Sequence, residues 1–95
     1  MERFVINFKH TLPERWIEKV SFFNEFANGG MQVSIKVKSG DVYSKVLISN
    51  CKHIVAMRNH KSLPFDVDDI VDIFQTDEDK NPTHRGGWFY WDHFK

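Results

Sequence analysis

The chain has 95 residues, which is the size of a single domain, and 41% of them are hydrophobic, which is enough for one packed core. Thirteen basic and thirteen acidic residues give a net charge of zero, which argues against a protein that mainly binds a nucleic-acid backbone. One cysteine excludes an internal disulfide, and we find neither an apolar signal region nor an apolar run near the ~20 residues of a membrane span, so we expect a cytoplasmic protein.

The N-terminal third predicts a strand and then an amphipathic helix. Phe4, Ile6 and Phe8 fall on one side of a predicted strand over residues 3–8. Thr11 is placed to cap a helix, because Glu14 follows three residues later and Pro13 falls in the first turn, where its missing N–H costs little. Apolar residues then recur at helical spacing until Asn28-Gly29-Gly30, which ends the helix. We therefore predict a helix over residues 12–27, with a buried stripe of Trp16, Ile17, Val20, Phe23 and Ala27.

The middle of the chain predicts consecutive strands. Residues 31–38 alternate, so that one face is buried and the other is wet. The predicted wet residues are Gln32, Ser34, Lys36 and Lys38. A tight turn at Ser39-Gly40-Asp41 leads into a partner strand over Val42–Ser49 and a further strand over His53–Met57. After a polar loop over residues 58–64, residues 67–75 predict the next strand.

The C-terminal part predicts a solvated loop and then an aromatic strand. Residues 76–87 show no periodicity, and residues 88–94 are rich in aromatic side chains, which favour pleated surfaces. Trp88 and Trp91 either anchor a partner or face the core, and the sequence leaves both interpretations open. The predicted fold is α+β in one domain over residues 1–95, with an N-terminal amphipathic helix packed on a bent antiparallel sheet of five or six strands.

The order of these elements over residues 12–74 resembles the Sm and Sm-like family of small SH3-like β-barrels. Lys38-Ser39-Gly40 is similar to the turn of the family's first motif, and Ile70-Val71-Asp72-Ile73 to the short strand of its second. The resemblance implies a small barrel. It does not extend to the family's RNA pocket, because Cys51 and Val55 stand where the first motif has Asp and Asn, and Asp66-Val67 stands near the Arg-Gly of the second.

Charges are segregated along the chain. Residues 36–61 contain six basic residues against Asp41 alone, whereas residues 62–79 contain seven acids and no base. The basic residues are Lys36, Lys38, Lys45, Lys52, Arg58 and Lys61. Either neighbouring strands place the two blocks side by side, so that they pair with each other, or the acidic block forms a face that steers a basic partner.

Three patterns point to site chemistry, and each lacks part of what that chemistry needs. Cys51 and His53 fall on one strand face, but structural zinc needs four ligands and a nucleophilic cysteine needs a base that a third group orients. Asp77-x-Asp79-x-Asn81 is similar to the start of an EF-hand loop, yet Pro82 and Trp88 stand where that loop needs Gly and Glu. We predict no catalytic residue, no metal site and no cofactor.

The sequence favours a non-catalytic protein-binding domain, in which acids attract a basic partner and tryptophans anchor it. By analogy of size and charge, it would be a small inhibitor or immunity-type protein that blocks a basic toxin or nuclease. The predicted partner-binding residues are Asp66, Asp68, Asp69, Asp72, Asp77, Glu78, Asp79, Trp88 and Trp91. The alternative is an Sm-like or SH3-like module that binds RNA through the basic residues, with Tyr43 or the tryptophans stacking on bases. We expect no membrane partner.

Overall fold

The computed structural model describes residues 9–26, 29–82 and Trp91. The helix α1 (Glu14–Val20) is followed by strands β1 (Gly30–Val37), β2 (Val42–Ser49) and β3 (His53–Met57). A short 3₁₀ turn (Val67–Asp69), strand β4 (Ile70–Phe74) and helix α2 (Asp77–Lys80) complete the described elements. The four strands form one antiparallel sheet in the order β3-β2-β1-β4, so β1 is flanked by strands on both sides.

The main core lies on one face of this sheet. Alternate residues of β1, from Met31 to Val37, point into it, as the alternation of the sequence predicts. Side chains from the other strands, from α1 and the segment just before it, and from the C-terminal segment complete the cluster. They are Leu12, Val20, Val46, Ile48, Ile54, Met57, Ile70, Ile73 and Trp91. The helix therefore contributes one fully buried residue, Val20, while Trp16 and Ile17 pack at the rim.

Residues on the opposite face of β1 are buried as well, which the sequence does not predict. Gln32 and Ser34 are each only 1% exposed, because α2 lies over this end of the strand. Asp79 of α2 is 2% exposed and accepts hydrogen bonds from Gln32 Nε2 at 2.7 Å and from Ser34 Oγ at 2.8 Å. A smaller apolar cluster of Leu47, Val55, Ala56 and Phe26 lies on the same side of the sheet. The expectation that Gln32 and Ser34 face water is wrong, whereas Lys36 and Lys38 of the same row are exposed as predicted.

The predicted helix over residues 12–27 is wrong in its length at both ends. Thr11 does not cap it, because Thr11 bridges His53 of β3 and the Leu12 N–H donates to the Lys52 carbonyl at 2.7 Å. Pro13 takes the N-cap position, and α1 ends after seven residues. Beyond α1 the chain bends away, with Asn24 held by Gln75 and the Phe26 N–H bonded to the Gly30 carbonyl. Tertiary hydrogen bonds thus override the helical periodicity of the segment.

The predicted five- or six-stranded SH3/Sm-like barrel is also wrong. Among the described residues there are four strands, and the two edge strands, β3 and β4, lie at opposite ends of the sheet order. A closed barrel requires that the edge strands pair through a continuous ladder, and within the described residues β4 pairs with β1 alone. The predicted strand over residues 3–8 lies outside the described residues. Of the predicted strand over residues 88–94, the described residues include only Trp91.

The strands β2 and β3 and the turn between β1 and β2 confirm the sequence prediction. Both strands have the predicted bounds, and Gly40 has a φ of 96°, which glycine tolerates best. One irregularity interrupts β2: Lys45 has a φ of 57°, where the register with β1 shifts between Val33 and Ile35. Two β2 residues therefore lie opposite Ser34, which is the arrangement of a β-bulge.

The buried Asp79 network yields a prediction about stability. Asp79→Ala leaves the donors of Gln32 and Ser34 buried without an acceptor, and each such group costs about 1–3 kcal/mol. We therefore expect the free energy of unfolding to fall by about 2–4 kcal/mol in chemical denaturation. Asp77→Ala is the matched control, since Asp77 is exposed in the same helix, and we expect it to cost less than about 1 kcal/mol. Equal losses in the two variants would contradict this role for Asp79.

The bulge in β2 yields a second prediction. Lys45→Gly removes the steric cost of a side chain at positive φ, so we expect the free energy of unfolding to stay unchanged or to rise by up to about 1 kcal/mol. Lys36→Gly, in the extended backbone of β1, is the matched control and should lose about 0.5–1 kcal/mol. The assignment of the bulge fails if Lys45→Gly destabilises the protein as much as Lys36→Gly does.

Candidate protein-binding surface

A surface groove lies beside the segment that joins β3 to β4. Its lining residues are His10, Leu63, Pro64, Phe65, Asp66, Val67 and Asp69, and its volume is about 610 Å³. The groove forms where β4 begins, next to the turn that joins β1 and β2. The Lys38 N–H donates to the Asp69 carbonyl at 2.9 Å, which ties this turn to the 3₁₀ turn. The groove is therefore attached to the turn after β1 through a backbone hydrogen bond.

The apolar part of the groove is held in place by packing on the core. Leu63, Phe65 and Val67 are half-buried and contact the main core cluster. The Phe65 ring packs against Tyr43 of β2 with ring centroids 5.0 Å apart and an interplanar angle of 33°. Tyr43, which the RNA alternative assigns to base stacking, therefore supports the groove from the side of β2. These contacts give the groove a fixed apolar wall.

Two acidic residues, Asp66 and Asp69, line the groove beside this wall, and Asp68 lies between the lining residues Val67 and Asp69 in the sequence. Asp66 caps the 3₁₀ turn, and its Oδ1 accepts the Asp68 N–H at 2.9 Å. Lys38 Nζ lies 3.7 Å from Asp69 Oδ1, with both side chains more than half exposed, so this pair contributes little energy. Asp68 is exposed and has no ion-pair partner in the part of the chain that the structure describes. The groove thus combines apolar side chains with carboxylates that stay open to solvent.

Asp72, in the middle of β4, lies apart from the groove and is paired. Lys19 Nζ of α1 donates to its Oδ1 at 2.6 Å, and the Ile73 N–H donates to the same oxygen at 2.9 Å. The hydrogen bond from Lys19 lowers the pKa of Asp72 below its ordinary value, against the smaller opposing effect of burial. The charges of Lys19 and Lys36 and the Ile73 N–H act in the same direction as that hydrogen bond. Asp72 therefore stays negatively charged, next to the positively charged ammonium group of Lys19.

The remaining predicted acids lie beyond the other end of β4. Asp77 and Glu78 are in the first turn of α2, where a negative charge favours the helix. Asp79 points inward and is satisfied by Gln32, Ser34 and the N–H of Thr76. Its assignment as a contact residue is corrected here, because its carboxyl group is 2% exposed and is used by the protein itself. The acids that are consecutive in sequence therefore do not form one patch.

Of the two predicted aromatic anchors, the structure describes Trp91. Trp91 is 6% exposed, its Nε1 donates to the His60 carbonyl at 3.1 Å, and its ring meets His10 edge-on at 5.5 Å. Of the two interpretations of this residue, core and interface, the structure supports core, and we no longer assign Trp91 a partner contact. Trp88 lies outside the described residues.

The patterns considered for metal and nucleophile chemistry have structural roles. Cys51 sits in the turn between β2 and β3 with a φ of 65°, and His53 Nδ1 lies 3.1 Å from Thr11 Oγ1 on the outer side of β3. The EF-hand-like residues Asp77 and Asp79 belong to α2, where Thr76 and Asp79 form a capping box. No group of three His, Cys, Asp or Glu side chains able to hold a metal ion occurs within residues 9–26, 29–82 and Trp91.

Basic residues of the RNA alternative do not form a continuous stripe. Lys36 is on β1, Lys38 is in the turn after it, Lys45 is at the bulge of β2, and Lys52 is at the opposite end of the sheet from Lys38. Lys38 faces Asp69, so one basic and one acidic block meet side by side, as one of the two charge interpretations expects.

The groove residues Leu63, Pro64 and Phe65 are a functional candidate that the sequence prediction missed. The sequence prediction puts Leu63 and Pro64 in a polar loop and Phe65 in no element, although an apolar triplet directly before Asp66 is unusual for a solvated loop. The apolar triplet next to an acidic residue is the sequence feature from which the groove could be predicted.

No protein-family model, no curated protein and no solved structure matches this chain. The resemblance to Sm-like proteins therefore stays a prediction. Among the described residues, no helix has the length and apolar character to cross a membrane.

The Lys19–Asp72 pair yields a prediction on pH. Because the pKa of folded Asp72 is lowered, its contribution to stability is present above the pKa of the unfolded chain and is lost as the pH falls through the folded value. In Lys19→Met we expect the pKa of Asp72 to rise in a carboxyl NMR titration. The stability loss at neutral pH should stay below about 1 kcal/mol, because both side chains are nearly half exposed.

Lys52→Met is the matched control, since it removes the same charge from an exposed position in the turn between β2 and β3. It should leave the Asp72 titration unchanged. An unchanged titration in Lys19→Met would show that the pair does not persist in solution.

Proposed function

We propose that this chain is a non-catalytic protein-binding domain that takes a basic, partly apolar segment of a partner protein at the groove beside the 3₁₀ turn. The observation that carries the proposal is the combination, in one concave surface, of an apolar wall and open carboxylates. An inhibitor or immunity-type protein that blocks a basic toxin or nuclease is the specific form that we favour.

The apolar wall supplies the part of the binding free energy that charges alone do not. Exposed charge pairs contribute about 0–1 kcal/mol each, whereas a fully buried aliphatic or aromatic side chain contributes about 1.5–3 kcal/mol. Leu63 and Phe65 are already fixed by their contacts with the core, so they lose little conformational entropy when a partner covers them. An apolar side chain of the partner would therefore occupy the groove and set the affinity.

The acids at the edge of the groove set the choice of partner. Asp68 is the strongest candidate, because it is exposed and is not neutralised by a described cation, whereas Asp69 shares its charge with Lys38. Asp66 and Asp69 are the two carboxylates of the lining itself, and Asp68 is their neighbour in the 3₁₀ turn. A basic segment is attracted to such a site and an acidic one is repelled, which affects mainly the rate of association and the selectivity.

The test compares two charge reversals of equal size at opposite ends of β4. A partner is captured from native lysate with the wild-type protein, identified, purified, and titrated against wild type, Asp68→Lys and Asp77→Lys. We expect Asp68→Lys to weaken binding at least about tenfold, or about 1.4 kcal/mol, and more at low salt. Asp77→Lys makes the same change in net charge away from the groove and should weaken binding less than about twofold.

Two outcomes would contradict the proposal. Equal weakening by both variants would mean that net charge, and not the groove, governs binding. Tight and steeply salt-dependent binding of poly-uridine or mixed single-stranded RNA, unaffected by Asp68→Lys, would favour the RNA alternative instead. Melting curves of each variant establish that the reversals leave the fold intact.

A further inference from the structure

A second concave surface, a cleft, lies at the C-terminal end of β4. Its volume is about 430 Å³, which falls within the range of roughly 300–1,000 Å³ that is typical of small-ligand sites. The residues that line it are Lys19, Phe22, Phe23, Asn24, Phe74, Gln75 and Lys80. None of these residues lines the groove beside the 3₁₀ turn, so the cleft and the groove are separate surfaces.

Hydrogen bonds and core packing hold the backbone of the cleft in place. Gln75 Oε1 accepts the Asn24 N–H at 2.9 Å. Gln75 Nε2 donates to the Asn24 carbonyl at 2.9 Å and to the Gln32 carbonyl at 3.0 Å. The half-buried Phe23 packs on the main core, and its N–H donates to the Val20 carbonyl at 2.9 Å. The cleft is therefore formed before any ligand arrives, which lowers the entropic cost of binding.

Three phenylalanines supply the apolar part of the lining. Phe22 is 82% exposed, whereas Phe23 and Phe74 are half-buried. A phenylalanine that is this exposed buries little apolar surface within the fold and contributes little to its stability. A planar ligand that covers Phe22 removes this apolar surface from water and can stack on the ring. The lining thus favours an aromatic ligand.

The charges of the lining all have one sign. Both of its titratable residues are lysines, and no carboxylate lines the cleft. Lys19 is paired with Asp72, but Lys80 is exposed and has no ion-pair partner in the part of the chain that the structure describes. Lys80 directly follows Asp79, whose buried carboxyl group attaches α2 to β1. The cleft therefore presents one open ammonium group, at the end of an anchored helix, beside aromatic side chains.

We propose that this cleft is a binding site for a small organic anion with a planar aromatic ring, such as an aromatic carboxylate. The ring covers Phe22 and Phe74, and the anionic group pairs with the ammonium group of Lys80. The exposed side-chain amide of Asn24 is a further hydrogen-bond donor for that group. This site does not depend on the groove or on the protein partner proposed above, because the two surfaces share no lining residue.

The experiment titrates benzoate into the full ¹⁵N-labelled chain and follows the backbone amide shifts by NMR. We expect saturable shifts at residues 22–24, 74, 75 and 80, with a Kd of about 1–10 mM for a probe of this size, and no shifts at residues 66–69. Benzamide keeps the ring without the charge, and cyclohexanecarboxylate keeps the charge without a planar ring. We expect each of these two probes to bind about threefold more weakly than benzoate, or worse.

Two substitutions test the assigned roles of the lysine and the phenylalanine. Lys80→Met should weaken benzoate binding about threefold and leave benzamide binding unchanged, whereas the matched control Lys52→Met should change neither. Phe22→Ser should weaken the binding of both benzoate and benzamide. Its matched control is Val42→Ser, which changes an apolar residue that is 50% exposed and lies outside the cleft, and which should weaken neither.

Three results would overturn the proposal. The first is a set of benzoate shifts that do not saturate or that spread over the whole surface. The second is binding of benzamide to the wild-type chain as tight as that of benzoate. The third is wild-type affinity for benzoate in both Lys80→Met and Phe22→Ser. Since both substituted side chains are exposed, we expect both variants to stay folded, and melting curves check this.

Discussion

The carboxyl group of Asp79, buried behind the central strand, is the constraint on which the arrangement of this protein depends. A strand with neighbours on both sides has all of its ladder hydrogen bonds, but its polar side chains remain a cost if they are buried without partners. Gln32 and Ser34 are two such side chains, and Asp79 accepts a hydrogen bond from each. The four-residue helix α2 has too few internal bonds to be stable alone, so this contact with β1 is what holds it.

The same contact decides how the acids of the chain are distributed. Asp79 lies behind the sheet, and its neighbours Asp77 and Glu78 lie beyond the far end of β4, away from Asp66 and Asp68. In the sequence these residues form one acidic block, and a single acidic face is the natural interpretation of it. In the structure the block is divided among a turn, an edge strand and a helix, so only its first part borders a concave apolar surface.

The parts of the fold that the sequence predicts correctly are those that local interactions determine. Strict alternation and a glycine turn were sufficient for β2, β3 and the turn before them, since turn chemistry and the two-residue period fix both the pairing and the buried face. The capping box was predicted at Thr11 and Glu14, but it forms at Thr76 and Asp79, which have the same spacing. The sequence gives little sign of the capping box at Thr76 and Asp79, because no apolar run follows it. The contacts that stabilise it come from β1, more than forty residues earlier.

The errors in helix length and sheet closure have the same origin. Thr11 and Leu12 have good helix-start chemistry, yet the edge of β3 offers them backbone partners, and hydrogen bonds to a strand edge outweigh a cap worth about 1 kcal/mol. The helix propensities of these residues do not indicate that the edge of β3 will be available to them. The groove was missed for a related reason, because Leu63 and Phe65 are separated from Tyr43 by about twenty residues and become a wall only when β2 and the 3₁₀ turn are brought together.

A run of acids in a small domain therefore has several separate uses. Asp66 caps a turn, Asp72 occupies a strand edge, Asp79 satisfies buried donors, and Asp68 alone among these four has a carboxylate that no described contact engages. Counting all of them toward a binding face overstates the charge that a partner meets. Since three of the four are engaged by the fold, selection for stability alone would retain most of the run, and the presence of the run is weak support for a basic partner. The position of Asp68 between two groove-lining residues, Val67 and Asp69, is the stronger argument, because no described contact engages its carboxylate.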